Sequence, residues 1–378
     1  AARTAASNAG AKVVKTFAYE ISGSEQQEIY DINPDLVLLC GGTDGGNKEV
    51  IIANAKHLVA IDRPFTTIVA GNKSANDDIK AIFNEAGKDV VITENVMPQF
   101  NKLNIEPARD AIRQLFISRI IEAKGLNILQ AMTPYKIIPT PLAVLHACEL
   151  LSKGTKTQQG RGDLLAVDIG GATTDVYSMA SGEPTVDNTM LKGLPEPWMK
   201  RTVEGDLGMR YSLTHVYEQI PGADNPENEY MQQVKAWVEL CTARPDTLAA
   251  PGSEEEKLEE FLGRSAVSMA VERHCGRIAD VFTPLGLMHT QEGKDLMNVP
   301  SVIGIGGVLR NSRRPEEILK GSLYDFMHPE CTKPRKPKFY LDQKYIFASM
   351  GLLRSINPEL AFELLDKETV EIGCNATV

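Results

Sequence analysis

The sequence has few cysteines, and none of them are paired in sequence. Six occur in 378 residues, and no two stand in a C-x-x-C pattern. Such scattered thiols argue against a disulfide framework and a short-spaced zinc site, and they indicate free or buried cysteines in a reducing cytosol. The six are Cys40, Cys148, Cys241, Cys275, Cys331 and Cys374.

The sequence also lacks an excess of positive charge and long apolar runs. It has 40 Lys and Arg against 50 Asp and Glu, a formal net charge of −10. This balance argues against sequence-independent binding to nucleic acid or anionic lipid. No segment approaches the roughly 20 apolar residues that span a bilayer, and no signal peptide is visible. We therefore expect a cytoplasmic protein whose partners are neither nucleic acids nor membranes.

The glycine-rich loop GGTDGG, residues 41–46, matches neither G-x-x-x-x-G-K-[ST] nor G-x-G-x-x-G. It follows an apolar run and precedes a helical pattern, which is a position that suits anion binding. A tight strand-to-helix turn is the favoured interpretation.

The first third of the chain alternates between apolar runs and helical patterns. At this length two domains or lobes are expected. Continuous apolar runs separated by helices predict parallel strands buried on both faces. The predicted strands are 11–19, 35–40, 67–70 and 89–93, and the predicted helices are 24–32, 48–58 and 76–86.

The rest of the chain is predicted to be a mixture of helices, strands and loops. Pro107 suits the first turn of a helix whose apolar residues recur at spacings of three and four. Another helix begins near Pro141. The further predicted helices are 206–219, 231–241, 254–282 (as one helix or two), 345–354 and 358–365; the strand is 302–305; and the loops are 152–162 and 333–338, the latter basic and on the surface.

The motif DIGGATTD, residues 168–175, follows a short apolar run. A strand that stops at paired glycines can turn sharply, and consecutive amides of such a turn bind anions. Asp168 suits a water bound to magnesium, and Asp175 suits the orientation of a water. A glycine-containing hairpin with incidental polar residues is the alternative. The residues predicted to contact phosphate are Gly170, Gly171, Ala172, Thr173 and Thr174.

The motif GIGGVLR, residues 304–310, is a second apolar strand that ends in paired glycines. Two such strand ends in one lobe can bracket a nucleotide, one at the phosphates and the other at the base. The flat backbone of Gly306 and Gly307 lets an adenine ring lie close, and the Arg310 guanidinium can stack on the ring face.

In order and spacing these motifs resemble the superfamily of actin, sugar kinases and heat-shock chaperones. Asp168, Thr173 and Asp175 fall on catalytic positions of its second phosphate motif, and GIGGVLR falls on its adenosine motif. PTPLAVLHA and FASMGLL resemble the two connecting helices, with Gly351 at the small position of the second. EGDLG resembles the loop before a helix of the second lobe, through Glu204, Gly205, Asp206, Leu207 and Gly208.

Within that superfamily the chain resembles the MutL/GlmL family, the accessory ATPases of glutamate mutase and related cobalamin-dependent aminomutases. The shared segments extend over nearly the whole chain and include GGTDGGNKEV, TENVMP, LLAVDIGGATTDVYS, GLPEPWMKRTVEGDLGMRYS and IGIGGVLRN. Nothing resembles the mismatch-repair protein that is also called MutL.

The resemblance implies an α/β, two-lobed actin-like ATPase with ribonuclease-H-like lobes. The expected parts are 1–140, the parallel remainder of lobe I; 141–162, a connecting helix and loop; 163–344, lobe II with the phosphate-2 and adenosine motifs; and 345–378, the C-terminal connecting helices. The first phosphate motif, a D-x-G-[ST]-T hairpin, is missing from the chain and is expected upstream of Ala1. Thr140 replaces the glutamate that many chaperone relatives carry before the connecting proline, which implies slow turnover.

The resemblance further implies ATP or ADP and Mg²⁺ as ligands, with Asp168 reaching the metal through water. The implied function is reactivation of a cobalamin-dependent mutase, with the mutase subunits as partners. A small-molecule enzyme of the same superfamily, such as a kinase or a hydantoinase relative, and a non-enzymatic assembly protein of actin type are the alternatives.

Overall fold

The chain forms two compact units, unit 1 (Ala1–Pro139) and unit 2 (Thr140–Val378). The computed structural model describes residues 2–9, 13–123, 127–135, 137–193, 196–284 and 286–374. Both units combine helices with β-sheets, so the predicted α/β class is confirmed.

Unit 1 is built on a parallel sheet whose strands are the predicted apolar runs. β1 (Leu36–Leu39), β2 (Thr66–Val69) and β3 (Val90–Ile92) pair in that order. Ile68 and Val69 are fully buried because helices cover both faces of the sheet. The helices are α1 (Ala2–Ala9), α2 (Gly23–Ile32), α3 (Glu49–Val59), α4 (Asn76–Glu85), α5 (Glu106–Ala123) and α6 (Asn127–Ala131).

The strand predicted over residues 11–19 is wrong from residue 13 onwards; residues 11 and 12 lie outside the described residues. Residues 13–18 form no ladder, and Tyr19 has a left-handed φ of 68°. Lys15 pairs with exposed Glu28, and Phe17 packs against the hydrophobic core of unit 1. Phe17 therefore attaches this segment to the core without strand pairing.

Unit 2 contains a six-stranded mixed sheet in the order β12-β11-β10-β4-β5-β7. β4, β5 and β7 are antiparallel neighbours, whereas β10 and β11 run parallel to β4. The strands of unit 2 are β4 (Leu164–Ile169), β5 (Thr174–Met179), β6 (Thr189–Lys192), β7 (Met199–Glu204), β8 (Arg277–Thr283), β9 (Gly286–Glu292), β10 (Ser301–Ile305), β11 (Lys338–Asp342) and β12 (Thr369–Cys374).

The helices of unit 2 include two that pack closely against each other, α7 and α13. A Cβ atom placed on Gly351 in α13 would lie 1.8 Å from the carbonyl oxygen of Ala143 in α7, so only glycine permits this approach. The helices are α7 (Thr140–Lys153), α8 (Leu213–Glu218), α9 (Glu229–Ala243), α10 (Glu254–His274), α11 (Gly307–Asn311), α12 (Pro315–Leu319), α13 (Phe347–Leu353) and α14 (Pro358–Glu368).

The prediction of helix up to residue 282 is wrong beyond His274. Cys275 is extended, with ψ 174°, and the Gly276 amide donates to the Lys294 carbonyl. The following residues form β8, which pairs with β9 in a second sheet of order β6-β9-β8. Gly276 allows this change of direction, since a Cβ there would lie 2.8 Å from the backbone of residues 292–294.

Two further predictions need correction. The helix predicted over 206–219 is confined to α8, because residues 205–212 form turns that hold the neighbouring glycine turn. The segment 333–338 is not wholly on the surface: Lys333 is buried, and its ammonium donates to Ser268 Oγ at 2.9 Å and to the Gly321 carbonyl at 3.2 Å.

Candidate functional site

The segment DIGGATTD forms a tight hairpin between β4 and β5. Asp168 pairs with Asp175 and Ile169 with Thr174 across the two strands, and the Gly170 amide donates to the Thr173 carbonyl at 2.9 Å. Residues 170–173, which we call the phosphate turn, are thus closed on themselves. The hairpin geometry alone is compatible with both interpretations of the motif.

Three carbonyl groups of the phosphate turn bind one neighbouring segment, residues 209–212. The Gly170 carbonyl accepts the Met209 amide at 3.0 Å. The Gly171 carbonyl accepts the amides of Arg210 and Tyr211, both at 2.8 Å. The carbonyl of the third residue, Ala172, accepts the Ser212 hydroxyl at 2.8 Å.

The amides of the same peptide groups point the other way. In a trans peptide the C=O and the following N–H are directed oppositely. The N–H groups of Gly171, Ala172 and Thr173 therefore face away from residues 209–212, and among the described residues none of them has an acceptor. Consecutive free amides with a common direction form an anion-binding concavity. This arrangement favours the functional interpretation of the motif over the incidental hairpin.

Residues 207–212 hold the phosphate turn from behind. Gly208 approaches so closely that a Cβ there would lie 2.2 Å from the Ala172 carbonyl carbon. Thr174 donates its hydroxyl to the Leu207 carbonyl. Arg210 fixes the segment in turn, since its guanidinium binds Glu259 at 2.6 Å and the carbonyls of residues 209, 245 and 247.

The second glycine motif lies directly beside the first. β10 is parallel to β4, and Ile305 pairs with Asp168, so both strands end at one edge of the sheet. Gly306 follows with φ 102°, and a Cβ placed on it would lie 2.5 Å from the Ile169 carbonyl oxygen and 2.8 Å from Asp168 Oδ1. Only glycine permits this contact. The two glycine motifs are therefore near enough for one small ligand to touch both.

Asp168 occupies the position between these motifs. Among the described residues no donor binds its carboxylate. Burial, together with the nearby charges of Asp175 and Asp342, raises the pKa of Asp168 to about 7, while Arg201 opposes this rise. A carboxylate in this setting is stabilised by a bound cation or by hydrated cation ligands. Within the described part of the chain, no group of three or more metal-ligating side chains occurs.

The predicted role of Asp175 must take account of a partner that the sequence did not reveal. Arg201 on β7 donates from Nε at 2.9 Å and from Nη2 at 2.5 Å to Asp175 Oδ1, and both residues are buried. The other carboxylate oxygen lies 3.5 Å from the Thr173 hydroxyl. Burial raises the pKa of Asp175, while Arg201 opposes this change. One oxygen of Asp175 is thus fixed in place, and the other faces the phosphate turn.

Asp342 and Tyr345 also lie at this edge and were missed by the sequence analysis. Asp342 ends β11 and accepts the amides of Ile346 at 2.9 Å and Phe347 at 3.0 Å, which holds the start of α13. Tyr345 has a left-handed φ of 56°. Partial burial raises the pKa of its phenol, and the charges of Asp168 and Asp342 raise it further. Backbone strain beside buried carboxylates was the signal, and it is visible only in the structure.

Glu204 and Asp206, in the EGDLG loop, both form ion pairs with the same arginine side chain. Arg273 on α10 donates to Glu204 at 2.7 Å and to both oxygens of Asp206 at 2.8 and 2.9 Å. Hydrogen bonds from Arg273 lower the pKa of Asp206 to about 2. The backbone of the same loop supports the phosphate turn, since the Ser212 hydroxyl also contacts the Gly205 carbonyl at 3.1 Å. These side chains hold the loop in place.

The remaining residues of the adenosine motif are more exposed. Gly307 begins the short helix α11, and its carbonyl accepts the Asn311 side-chain amide at 2.8 Å. Arg310 is exposed. Burial raises the pKa of Asp342, and the positive charge of Arg310 partly opposes this rise. Arg310 thus stands at the same sheet edge, on the side of β11.

The GGTDGG loop in unit 1 is a tightly bonded turn. The buried Asn72 side chain accepts the Gly45 amide at 3.1 Å and donates to the Gly46 carbonyl at 2.9 Å. Asn95 donates to the Gly42 carbonyl at 2.9 Å and to Asp44 at 3.0 Å. These contacts agree with the strand-to-helix turn that the sequence favoured.

Comparison with known proteins identifies the family to which the chain belongs. The family model described as MutL protein matches residues 1–369. The chain belongs to the MutL family. It is also 45% identical over 375 residues to the protein named MutL of Clostridium tetanomorphum, covering 98% of this chain and 81% of that protein. The family recognised from the motifs is therefore confirmed. In addition, no helix in the described segments is long and apolar enough to cross a membrane.

Proposed function

We propose that this MutL-family protein is a cytoplasmic ATP-binding accessory protein that reactivates a cobalamin-dependent mutase such as glutamate mutase. ATP is bound at the edge of the six-stranded sheet in unit 2, and slow hydrolysis resets the protein. The contact of Gly306 with Ile169 and Asp168 is the observation that carries the nucleotide assignment. Family membership supports the link to a mutase.

The two glycine motifs suit opposite ends of a nucleotide. The three free amides of residues 171–173 suit the phosphate oxygens, with Thr173 as an added hydroxyl donor. Gly306, Gly307 and Arg310 follow β10, which is the strand next to β4. Neighbouring strands are about 4.8 Å apart. Arg310 is exposed and available to stack on a base.

Magnesium fits the same edge through Asp168. This carboxylate has no donor among the described residues and lies near the charges of Asp175 and Asp342. Mg²⁺ usually keeps several waters, so a single carboxylate reached through water suits it. The ion would neutralise phosphate charge there.

The sheet supports the actin-like architecture. Three antiparallel strands, β7-β5-β4, continue into two parallel strands, β10 and β11, which is the order expected of a ribonuclease-H-like lobe. Reactivation would then follow from a population shift. ATP stabilises one conformation of the protein, and loss of the γ-phosphate contacts releases that conformation and loosens the spent cofactor in the target.

Nucleotide binding is tested by competition in three variants. Asp168→Ala should weaken binding of magnesium-ATP, and Thr173→Ala should weaken competition by pyrophosphate more than competition by adenosine. Arg310→Ala should have the reverse effect. Lys367→Ala, an exposed site on α14, is the control. Equal affinities in all four variants and the wild type would remove the nucleotide from this sheet edge.

Reactivation is tested separately with an inactivated mutase. Inactive mutase incubated with this protein, ATP, Mg²⁺ and fresh cofactor should regain activity, and the gain should depend on ATP. Asp168→Ala should abolish it. A gain that is equal with and without ATP would contradict the proposal even if ATP binds.

A further inference from the structure

An open groove of about 460 Å³, which we call the cavity, lies in unit 2 where α7 ends and α14 begins. Glu149 and Lys153 from the last turns of α7 line it, with Thr155 and Lys156 from the following loop. Arg354, directly after α13, and Glu359 on α14 complete the charged lining. A volume of several hundred Å³ is that of a small-molecule site. None of these residues belongs to the phosphate turn or the adenosine motif.

The walls of the cavity are fixed before any ligand arrives. The hydroxyls of Thr155 and Thr157 both donate to Glu359, which ties the loop to the first turn of α14. Gly154 has φ 76°, and a Cβ there would lie 2.2 Å from the Gln158 carbonyl oxygen, so the loop folds tightly on itself. A preformed cavity loses little entropy on binding.

Arg354 presents an unused hydrogen-bonding edge. Its Nη1 donates to Glu149 at 2.7 Å and to the His146 carbonyl at 3.2 Å. In the described structure, no acceptor binds its Nε or Nη2. These two N–H groups form the planar side of the guanidinium, which matches the two oxygens of a carboxylate. The contacts of Nη1 hold the side chain in place while that edge stays available.

The side chains that line the cavity carry one more positive charge than negative charges. Lys153 binds Glu149 at 2.8 Å and lies over the Trp198 ring at 4.5 Å. Arg354 and Lys153 together thus surround one carboxylate, Glu149. Lys156 has no hydrogen-bond or ion-pair partner within the described residues, although its charge influences Glu359. Three cations and two carboxylates line the cavity, in a protein whose net charge is −10.

We infer that this cavity binds a small organic carboxylate, held by the Nε and Nη2 edge of Arg354 with Lys156 as a second cationic contact. Leu150 and Pro358 supply apolar surface for a short carbon chain. The site joins the C-terminal ends of α7 and α13 to the start of α14, so its occupancy would stabilise the packing of these helices. The inference does not depend on nucleotide binding.

Calorimetric titration with succinate, acetate and inorganic phosphate tests the site. At low ionic strength, succinate should bind at one saturable site and more tightly than acetate, because it can contact both cations. Arg354→Lys keeps the charge but loses the planar edge, and we expect about a tenfold loss, the equivalent of one charged hydrogen bond. Lys156→Gln should weaken succinate several-fold and acetate less. Lys367→Gln is the matched control on α14 and should bind like the wild type.

Lys156→Gln removes no hydrogen bond or ion pair within the described structure, so we expect it to fold even if Arg354→Lys is unstable. Succinate binding that is the same in both variants and the wild type would place the anion elsewhere and overturn the inference. Absence of saturable binding by either carboxylate would overturn it as well. Tighter binding of phosphate than of succinate would show that the site is not built for a carboxylate.

Discussion

The close approach of Gly306 to β4 gives the sharpest test of the site. Replacement by alanine adds one methyl group where the Ile169 carbonyl oxygen would lie 2.5 Å away and Asp168 Oδ1 2.8 Å away. It also forces a residue with a side chain to adopt φ 102°. The nearest of these atoms is a backbone carbonyl oxygen, so a change of rotamer at Asp168 alone cannot relieve the clash.

Two costs add in this variant. The unfavourable φ costs on the order of 1–3 kcal/mol, and forcing an extra methyl group into a packed site costs roughly 1–3 kcal/mol. The smaller entropy of the unfolded alanine chain returns about 0.4–1 kcal/mol. We therefore expect Gly306→Ala to lower the free energy of unfolding by roughly 1–6 kcal/mol, and to weaken nucleotide binding because β10 and β4 separate.

The matched control is the next residue. A Cβ on Gly307 would meet only the Asn311 side-chain nitrogen at 3.9 Å, and its φ is not in the left-handed region. Thermal unfolding of Gly306→Ala, Gly307→Ala and the wild type compares the two sites directly, whereas nucleotide titration compares Gly306→Ala with the wild type, because Gly307 belongs to the proposed base site. Each kcal/mol shifts Tm by about 2–4 °C in a unit of this size. Equal Tm for the two variants would refute the reasoning about the strand ends.

Three other perturbations follow from buried contacts. Arg201→Met leaves the buried Asp175 carboxylate without its guanidinium partner, and we expect the free energy of unfolding in urea to fall by roughly 3–5 kcal/mol. Asp175→Asn in the same background should restore part of this loss. Absence of any restoration would contradict the pairing. Burial lowers the pKa of Lys294 from 10.5 to about 7, so the unfolded chain binds more protons between these values. The free energy of unfolding should therefore rise between pH 7 and pH 10, by up to about 1.4 kcal/mol per pH unit, and Lys294→Met should flatten this slope; an unchanged slope would exclude Lys294 as its source. Gly351→Ala places a Cβ 1.8 Å from a carbonyl oxygen of α7 and should cost about 3 kcal/mol or more, whereas an unchanged Tm would show that the two helices can separate freely.

The parts of the fold that depend on local pattern could be predicted from the sequence. β1, β2 and β3 are continuous apolar runs, as expected for parallel strands covered on both faces. The turn at Gly170 and Gly171 was found because paired glycines after an apolar strand have few other uses. By contrast, only two residues lie between the end of α10 and the start of β8, so no loop segment separates them, and only Gly276 marks the boundary.

The parts of the site that depend on strand register could not be predicted. Arg201 reaches Asp175 because β7 pairs with β5 in one register, with Tyr177 opposite Arg201. A shift of one residue would place the guanidinium on the other face of the sheet. Asp342 lies near Asp168 only because β11 is added beside β10, more than 30 residues later in the chain. Such pairings follow from long-range topology, which no short motif records.

The attachment of the phosphate turn to residues 207–212 has a practical consequence for the interpretation of variants. The direction in which its amides point is determined by carbonyl contacts on the opposite side. A substitution at Ser212 or Gly208 would therefore reorient the amides of residues 171–173 without contacting the proposed nucleotide. Such substitutions should weaken binding of phosphate groups but leave binding of the base unchanged. This pattern would indicate that the amides have changed direction, although no hydrogen-bond donor has been removed.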